Sequence, residues 1–311
     1  MNSRTRSQPI AVAPEDHPWY QDICDAVERG HGTVSTVKDA AGLIWLAKFE
    51  QDLGPVLHPK LQWVQVRAAS VDNWIDSGIL TSDRTFTSAR GIYGEAAAEH
   101  VLALLFSAAR RLHVCARLDH WDPDEGRGQE LRGSTVVIVG AGGVGGQTAS
   151  YLKPFGVRVL AVTRTGRIIP DADSSLASAQ LDDVWPQADY VVLTVPLTRE
   201  TKHIVGPKEL AAMPDHAWLI NISRGSLVDT DALVTALRAG TIGGAALDVT
   251  DPEPLPEGHP LWQLPNVLIT PHVANPKANQ RAKLIERVEE NVRRFVQGEP
   301  LLGAIDASVG Y

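Results

Sequence analysis

The chain of 311 residues is 44% hydrophobic and 21% charged, a globular balance that excludes intrinsic disorder and fibrous repeats and, at about 100–200 residues per domain, suggests two domains. Its formal net charge of -8, with no run of Lys or Arg, excludes nucleic acid and an anionic membrane as expected partners and leaves a small molecule. Two cysteines, Cys24 and Cys115, are too few for a disulfide framework or a clustered metal site, so no metal is expected and a reducing cytoplasm is.

Ile10–Ala13 predicts a short buried strand; as an apolar run it is too short for a signal peptide, and no stretch approaches the roughly 20 residues of a bilayer span. Trp19–Glu28, apolar at Trp19, Ile23, Ala26 and Val27, predicts a helix stopped at Gly30. Gly42–Leu46, Trp63–Val66 and Thr85–Thr87 predict further strands, and Glu95–Leu112 a long buried helix. The polar stretch Trp121–Glu130 reads as a loop into a second domain. There, Thr135–Val139, Val157–Val162, Tyr190–Thr194, Trp218–Asn221, Gly244–Asp248 and Val267–Thr270 are six apolar runs alternating with helical or polar stretches. That alternation predicts a doubly wound parallel sheet covered on both faces. Ala278–Val296 predicts an amphipathic helix, with Leu284, Ile285, Val288, Val292 and Phe295 on one stripe, that packs back on the first domain. The expected organisation is therefore α/β, with a cofactor domain of 99–274 and a smaller, discontinuous substrate domain of 1–98 and 275–311.

Gly140, Gly142 and Gly145, with Gly143 and Val144 between them, stand in GxGxxG spacing after a predicted strand and at the start of a predicted helix. In that context the motif reads as a dinucleotide phosphate loop: a tight turn, a close backbone approach to the pyrophosphate, and close helix–strand packing. An NAD-selective site expects an acidic residue about 20 positions on, but the end of the next strand holds Thr163, Arg164, Thr165, Gly166 and Arg167. Two guanidiniums and two hydroxyls suit a 2′-phosphate, which predicts NADP(H), with Arg164 as its main partner and NAD(H) as the lesser alternative. The bland reading is a solvated basic turn.

Three segments follow predicted strands in the second half: Asn221–Gly225, Asp248–Pro254 and Thr270–Ala274. The carboxyl ends of parallel strands face the ligand crevice, so Arg224, Glu253 and His272 form a coherent set. Together with the phosphate loop, PLTRET at Pro196–Thr201 and INISRGSLVDTDAL at Ile220–Leu233, they resemble the D-isomer-specific 2-hydroxyacid dehydrogenase family from about Gly91 to His272. The first ninety residues match it only in outline. The resemblance implies a Rossmann cofactor domain, a flavodoxin-like substrate domain, and an oxidoreductase acting on small 2-oxo or D-2-hydroxy acids such as glyoxylate or hydroxypyruvate. It also implies a homodimer joined through Val101–Glu130.

On that reading Arg224 anchors the substrate carboxylate and polarises the carbonyl. His272 is the general acid or base, and Glu253 favours its imidazolium form. Asp248 contacts the cofactor near the nicotinamide, with Val195, Pro196, Thr201, Ile222, Ser223 and Ala274 along its path. Ala69, Ser70 and Val71, in the turn Arg67–Asp72, offer amides to the substrate carboxylate. Family members commonly have glycine there and this chain has none, which predicts an altered turn. Glu99 and His100, in AAEHVLALL, read as structural or interdomain rather than catalytic. The competing reading is a dinucleotide-sensing, corepressor-like binding protein on the same fold.

Overall fold

The computed structural model describes residues 7–47 and 50–306, which form two compact units, Met1–Tyr93 with Lys277–Tyr311 and Gly94–Pro276. The first unit contains β1 (Pro9–Ala13), α1 (Tyr20–Arg29), β2 (Thr33–Val34), β3 (Gly42–Trp45), β4 (Trp63–Val66), α2 (Asp72–Asp76) and β5 (Thr85–Thr87). Its five strands are parallel, in the order β2-β1-β3-β4-β5. The edge strand β2 is only two residues long, Thr33 and Val34, so no hydrophobic run announces it.

The second unit contains α3 (Gly94–Ala109), α4 (Leu112–Cys115), β6 (Thr135–Val139), α5 (Gly143–Leu152), β7 (Arg158–Thr163), β8 (Ser174–Ala177), α6 (Leu181–Val184), β9 (Tyr190–Leu193), α7 (Pro207–Ala212), β10 (Trp218–Asn221), α8 (Thr230–Ala239), β11 (Gly244–Leu247) and β12 (Val267–Ile269). Seven parallel strands run in the order β12-β11-β10-β9-β6-β7-β8. β6 explains the continuous apolar runs: Val137 and Val139 enter one core while Val136 and Ile138 enter another on the opposite face. A strand covered on both sides shows no alternation. This is the doubly wound α/β architecture of a Rossmann-like fold.

Three expectations are corrected. The sheet has a seventh strand, β8, whose sequence SSLA lies at the edge without a fully buried residue. The long helix ends at Ala109 rather than Leu112, because Arg111 takes a left-handed φ of 51° and starts a new turn. As α3 lies entirely in the second unit and packs on α5, the units part at 93/94 and 276/277 rather than 98/99 and 274/275.

The chain returns to the first unit as α9 (Lys277–Gln297). Leu284, Val288 and Val292 are fully buried against Ile10, Ile23, Val27 and Trp63, while Ile285 and Phe295 are partly buried. On the same stripe is buried Asn291, whose amide donates to Gln65 Oε1 at 2.8 Å and to the Leu302 carbonyl at 2.9 Å. Its Oδ1 accepts the Leu302 N–H at 2.8 Å, so the buried amide is paired on both sides. Among the described residues no helix is long and apolar enough to cross a membrane.

Candidate active site

The glycine loop joins β6 to α5, and each glycine meets a different demand. Gly140 has a φ of +99°, and a Cβ there would lie 2.6 Å from the Val195 nitrogen. At Gly145 a Cβ would lie 2.4 Å from the Gly140 oxygen, so only glycine lets α5 sit this close to the loop. At Gly142 a Cβ would meet nothing within 4 Å. The residue that caps α5 thus faces open space, as a backbone that a pyrophosphate must approach requires. Gly143 and Val144 form the first turn of that helix. Thr194, unassigned by sequence reasoning, donates to the Gly140 carbonyl at 2.6 Å and fixes the turn from β9.

At the end of β7, the Thr163 hydroxyl accepts the Arg167 N–H at 2.8 Å, and the Arg167 guanidinium donates to the Ala141 carbonyl at 3.0 Å. Arg167, expected only as support, is thereby tied to the phosphate loop, although like Arg164 and Thr165 it is exposed. No carboxylate occurs from Thr163 to Arg167. These residues fit a dinucleotide: a helix N-terminus with an open capping glycine, and two cations at the end of the adjacent strand.

Arg224, Glu253 and His272 lie in segments that leave the carboxyl ends of β10, β11 and β12. Asn221, the last residue of β10, is 1% exposed; its amide donates to the Arg224 carbonyl at 2.7 Å and its oxygen accepts the Ser223 N–H at 3.1 Å. Arg224 Nη1 donates to the Ser223 carbonyl at 2.8 Å. The Ser223 hydroxyl donates to the Val195 carbonyl at 2.5 Å, joining this segment to the one after β9. A Cβ at Gly225 would fall 2.0 Å from the Thr250 carbonyl, so glycine is what lets the Arg224 segment press on the one carrying Glu253.

His272 Nδ1 and Glu253 Oε1 are 2.6 Å apart, each side chain about half exposed. A carboxylate only accepts, so Nδ1 carries the proton of this bond and Nε2 is left for exchange with a ligand. His272 has a left-handed φ of 54°, held by its N–H, which donates to the carbonyls of Asp248 at 2.8 Å and Thr270 at 3.0 Å.

Asp248, expected beside the nicotinamide, has its carboxylate fully enclosed. Oδ1 accepts from the Thr270 hydroxyl at 2.6 Å and the Val273 N–H at 2.9 Å, and Oδ2 from the Ala274 N–H at 3.0 Å. His100 Nε2, on α3, lies 3.0 Å from Thr270 Oγ1 and 3.3 Å from Asp248 Oδ1. Burial opposes ionisation here, but the bonds from His100, Thr270, Val273 and Ala274 outweigh it and hold the carboxyl at about 2. Asp248 is therefore a clamp on the segment that carries His272. Thr270 and Asn221, both quoted in the motifs but given no task there, prove to be buried or half-buried struts. Thr201 likewise spends its hydroxyl on the Pro196 carbonyl at 2.7 Å, closing its own turn; Ile222 is half-buried and Ala274 buried.

In the first unit, Ala69 and Ser70 are half-buried and Val71 is 4% exposed. No residue from Arg67 to Asp72 has a positive φ, so the turn adopts a path that side chains tolerate and does not need the glycine it lacks. Among the described residues, the N–H groups of Ala69, Ser70 and Val71 make no backbone hydrogen bond.

A parallel-sheet dinucleotide fold bearing an Arg, Glu, His set at its strand ends defines a nicotinamide-dependent oxidoreductase. The profile of "D-isomer specific 2-hydroxyacid dehydrogenase, NAD binding domain" matches residues 102–274, and the chain belongs to that family. It is 36% identical over 255 residues to a glyoxylate reductase of Aeropyrum pernix, covering 78% of this chain and 75% of that one. Among solved structures it is similar to a D-isomer specific 2-hydroxyacid dehydrogenase from Xanthobacter autotrophicus Py2 in complex with NADPH and MES, at TM-score 0.82 and 27% identity, covering 98% of this chain and 100% of that one. It is also similar to an NADPH-dependent glyoxylate/hydroxypyruvate reductase from Sinorhizobium meliloti in complex with NADP and sulfate, at TM-score 0.80 and 26% identity, covering 98% and 100%. The protein is thus an oxidoreductase of the glyoxylate/hydroxypyruvate reductase-like kind with a nicotinamide dinucleotide domain.

Proposed function

We propose that the protein reduces small 2-oxo acids to D-2-hydroxy acids and prefers NADPH to NADH. The observation that carries this reading is the His272–Glu253 hydrogen bond of 2.6 Å, a proton donor oriented by a carboxylate beside an arginine-bearing segment. When bound, the nicotinamide supplies the hydride for the carbonyl carbon. Arg224 grips the carboxylate with paired donors and draws charge onto the carbonyl oxygen. His272 delivers a proton from Nε2 to that oxygen, while Glu253 accepts the Nδ1 hydrogen bond and fixes the orientation of the ring. Oxidation reverses the direction, with His272 as base. Asp248, Thr270 and His100 position His272.

The preference for NADPH rests on the basic, carboxylate-free end of β7, where Arg164 and Arg167 meet a 2′-phosphate. The NADP(H) complexes of the two structural neighbours support it. The protein works as a homodimer through residues 101–130, where Trp121 is 93% and Leu112 51% exposed. We place it in the cytoplasm, with Cys24 and Cys115 as free thiols.

The test follows the loss of nicotinamide absorbance with glyoxylate, hydroxypyruvate, pyruvate and bulkier 2-oxo acids, NADPH and NADH in parallel. Turnover with NADPH favoured is expected. Turnover favouring NADH overturns the role of Arg164 and Arg167, and cofactor binding without reduction of any acid overturns the reductase in favour of a dinucleotide sensor.

A further inference from the structure

The loop that carries Glu253 connects β11 to β12, and no sheet holds it. Among the described residues, no backbone N–H from Thr250 to Gly258 donates to another backbone carbonyl, so side chains have to fix the path of this loop. At its far end the Trp262 indole donates to the Pro256 carbonyl at 3.1 Å, and Leu255 packs on the core. At its near end the ties converge on Asp251, which is half-buried while Pro252, Glu253 and Pro254 are exposed. The Ser226 hydroxyl donates to Asp251 Oδ2 at 2.5 Å, and the Thr230 hydroxyl, at the start of α8, donates to the Asp251 carbonyl at 2.8 Å. The Thr250 hydroxyl donates to the Pro252 carbonyl at 2.9 Å and stiffens the same stretch.

The anchor on the other side is firm. The Ser226 carbonyl accepts the His203 N–H at 2.9 Å, and the Leu227 carbonyl accepts the Val205 N–H at 3.1 Å. Arg224, two residues before Ser226, is held separately through Asn221 and Ser223. The Ser226 segment therefore has its own ties, and the Glu253 loop takes its position from it. Glu253 stands two residues beyond Asp251, and its Oε1 lies 2.6 Å from His272 Nδ1. Both of those side chains are about half exposed, so packing does not lock the pair.

We infer that Asp251 is a positioning residue: bonded to Ser226 and Thr230, it sets the loop so that Glu253 stays on His272. This rests on the proposed reductase activity, in which that pair carries the proton. Asp251 touches neither substrate nor cofactor on this reading and acts through Glu253.

The experiment measures kcat and KM with NADPH and the best 2-oxo acid in Ser226→Ala, Asp251→Ala and Asp251→Asn. The two alanine variants should each lower kcat about 10- to 100-fold, the range of a lost hydrogen bond to a charged group, with KM within about threefold because Arg224 keeps its own ties. Asp251→Asn, whose Oδ1 still accepts the Ser226 hydroxyl, should keep kcat within about threefold of wild type. In a Glu253→Ala background, adding Asp251→Ala should cost less than about twofold, since residues that act through one another are not additive. An unchanged kcat in Asp251→Ala, an equal loss in Asp251→Asn, a loss confined to KM, or a full further loss on top of Glu253→Ala overturns the role. If wild type turns over no 2-oxo acid, the reductase reading falls by itself, and the positioning is judged by imidazole 15N shifts at about pH 9, with His272 assigned by its absence in His272→Gln. Wild type should carry the His272 proton on Nδ1, and Asp251→Ala should move it toward the Nε2–H form as Glu253→Ala does. Shifts unchanged in Asp251→Ala overturn the inference.

Discussion

His272 pays for its place with a backbone conformation that costs a non-glycine residue about 1–2 kcal/mol. The Asp248 clamp holds that strain: the Asp248 carbonyl takes the His272 N–H, and its carboxylate takes the next two N–H groups. His272→Gln should lower kcat by about 100- to 10,000-fold, the reach of general acid–base catalysis, with the dissociation constant for NADPH within twofold of wild type; unchanged turnover would remove His272 from the reaction. The clamp makes a separate prediction about stability. Its carboxyl, at about 2 against an ordinary 3.8, is depressed in the folded state, so its contribution is complete above the unfolded value and fades as pH falls toward 2. A shift of this size is worth about 2 kcal/mol. In urea unfolding, the gap between wild type and Asp248→Asn should therefore shrink by about 1.5 kcal/mol from pH 5 to pH 2.5, the remainder being lost only below the folded value. A gap that stays constant would mean the cage does not favour the ionised form.

At the scale of elements, α5 and the loop that enters it couple the sheet to the cofactor. Because Gly145 lies against the Gly140 carbonyl, a methyl group there has to push the helix off the loop. Gly145→Ala should cost about 1–3 kcal/mol, as overpacking does, and weaken NADPH binding at least tenfold by displacing the amides at the helix start. Fluorescence titration together with thermal unfolding would separate the two effects, and a variant with native cofactor affinity would show that the contact does not shape the phosphate site. α9 illustrates the opposite case, an element whose apolar stripe was legible but whose polar member was not. Asn291 sits among Leu284, Val288 and Val292 and looks like an error in the pattern until Gln65, 226 residues away in the chain, and Leu302, just beyond the helix, supply its partners.

For the whole molecule, cofactor binding and folding are linked, since a ligand that binds only the native state stabilises it by mass action. NADPH at a hundred times its dissociation constant should add about 2.7 kcal/mol to the unfolding free energy, and NADH at the same concentration distinctly less. Replacing Arg164 and Arg167 together by serine should bring the two cofactors level; a difference that survives would place 2′-phosphate recognition elsewhere.

Much of the architecture was written locally. The buried runs of β6, β9, β10 and β11, the glycine spacing before α5, and the motifs holding Arg224, Glu253 and His272 are patterns of neighbours in the chain. Hydrophobic burial and backbone sterics read such patterns without knowing the rest of the fold. Tertiary structure alone decided the remainder. β8 is polar and exists because β7 offers it a free edge. Asp248 became a clamp because α3 and the segment after β12 bring His100 and Thr270 to it from 148 and 22 residues away along the chain. Those outcomes depend on which polar groups meet after the chain has closed, and pairing across such distances leaves no periodic trace in the sequence.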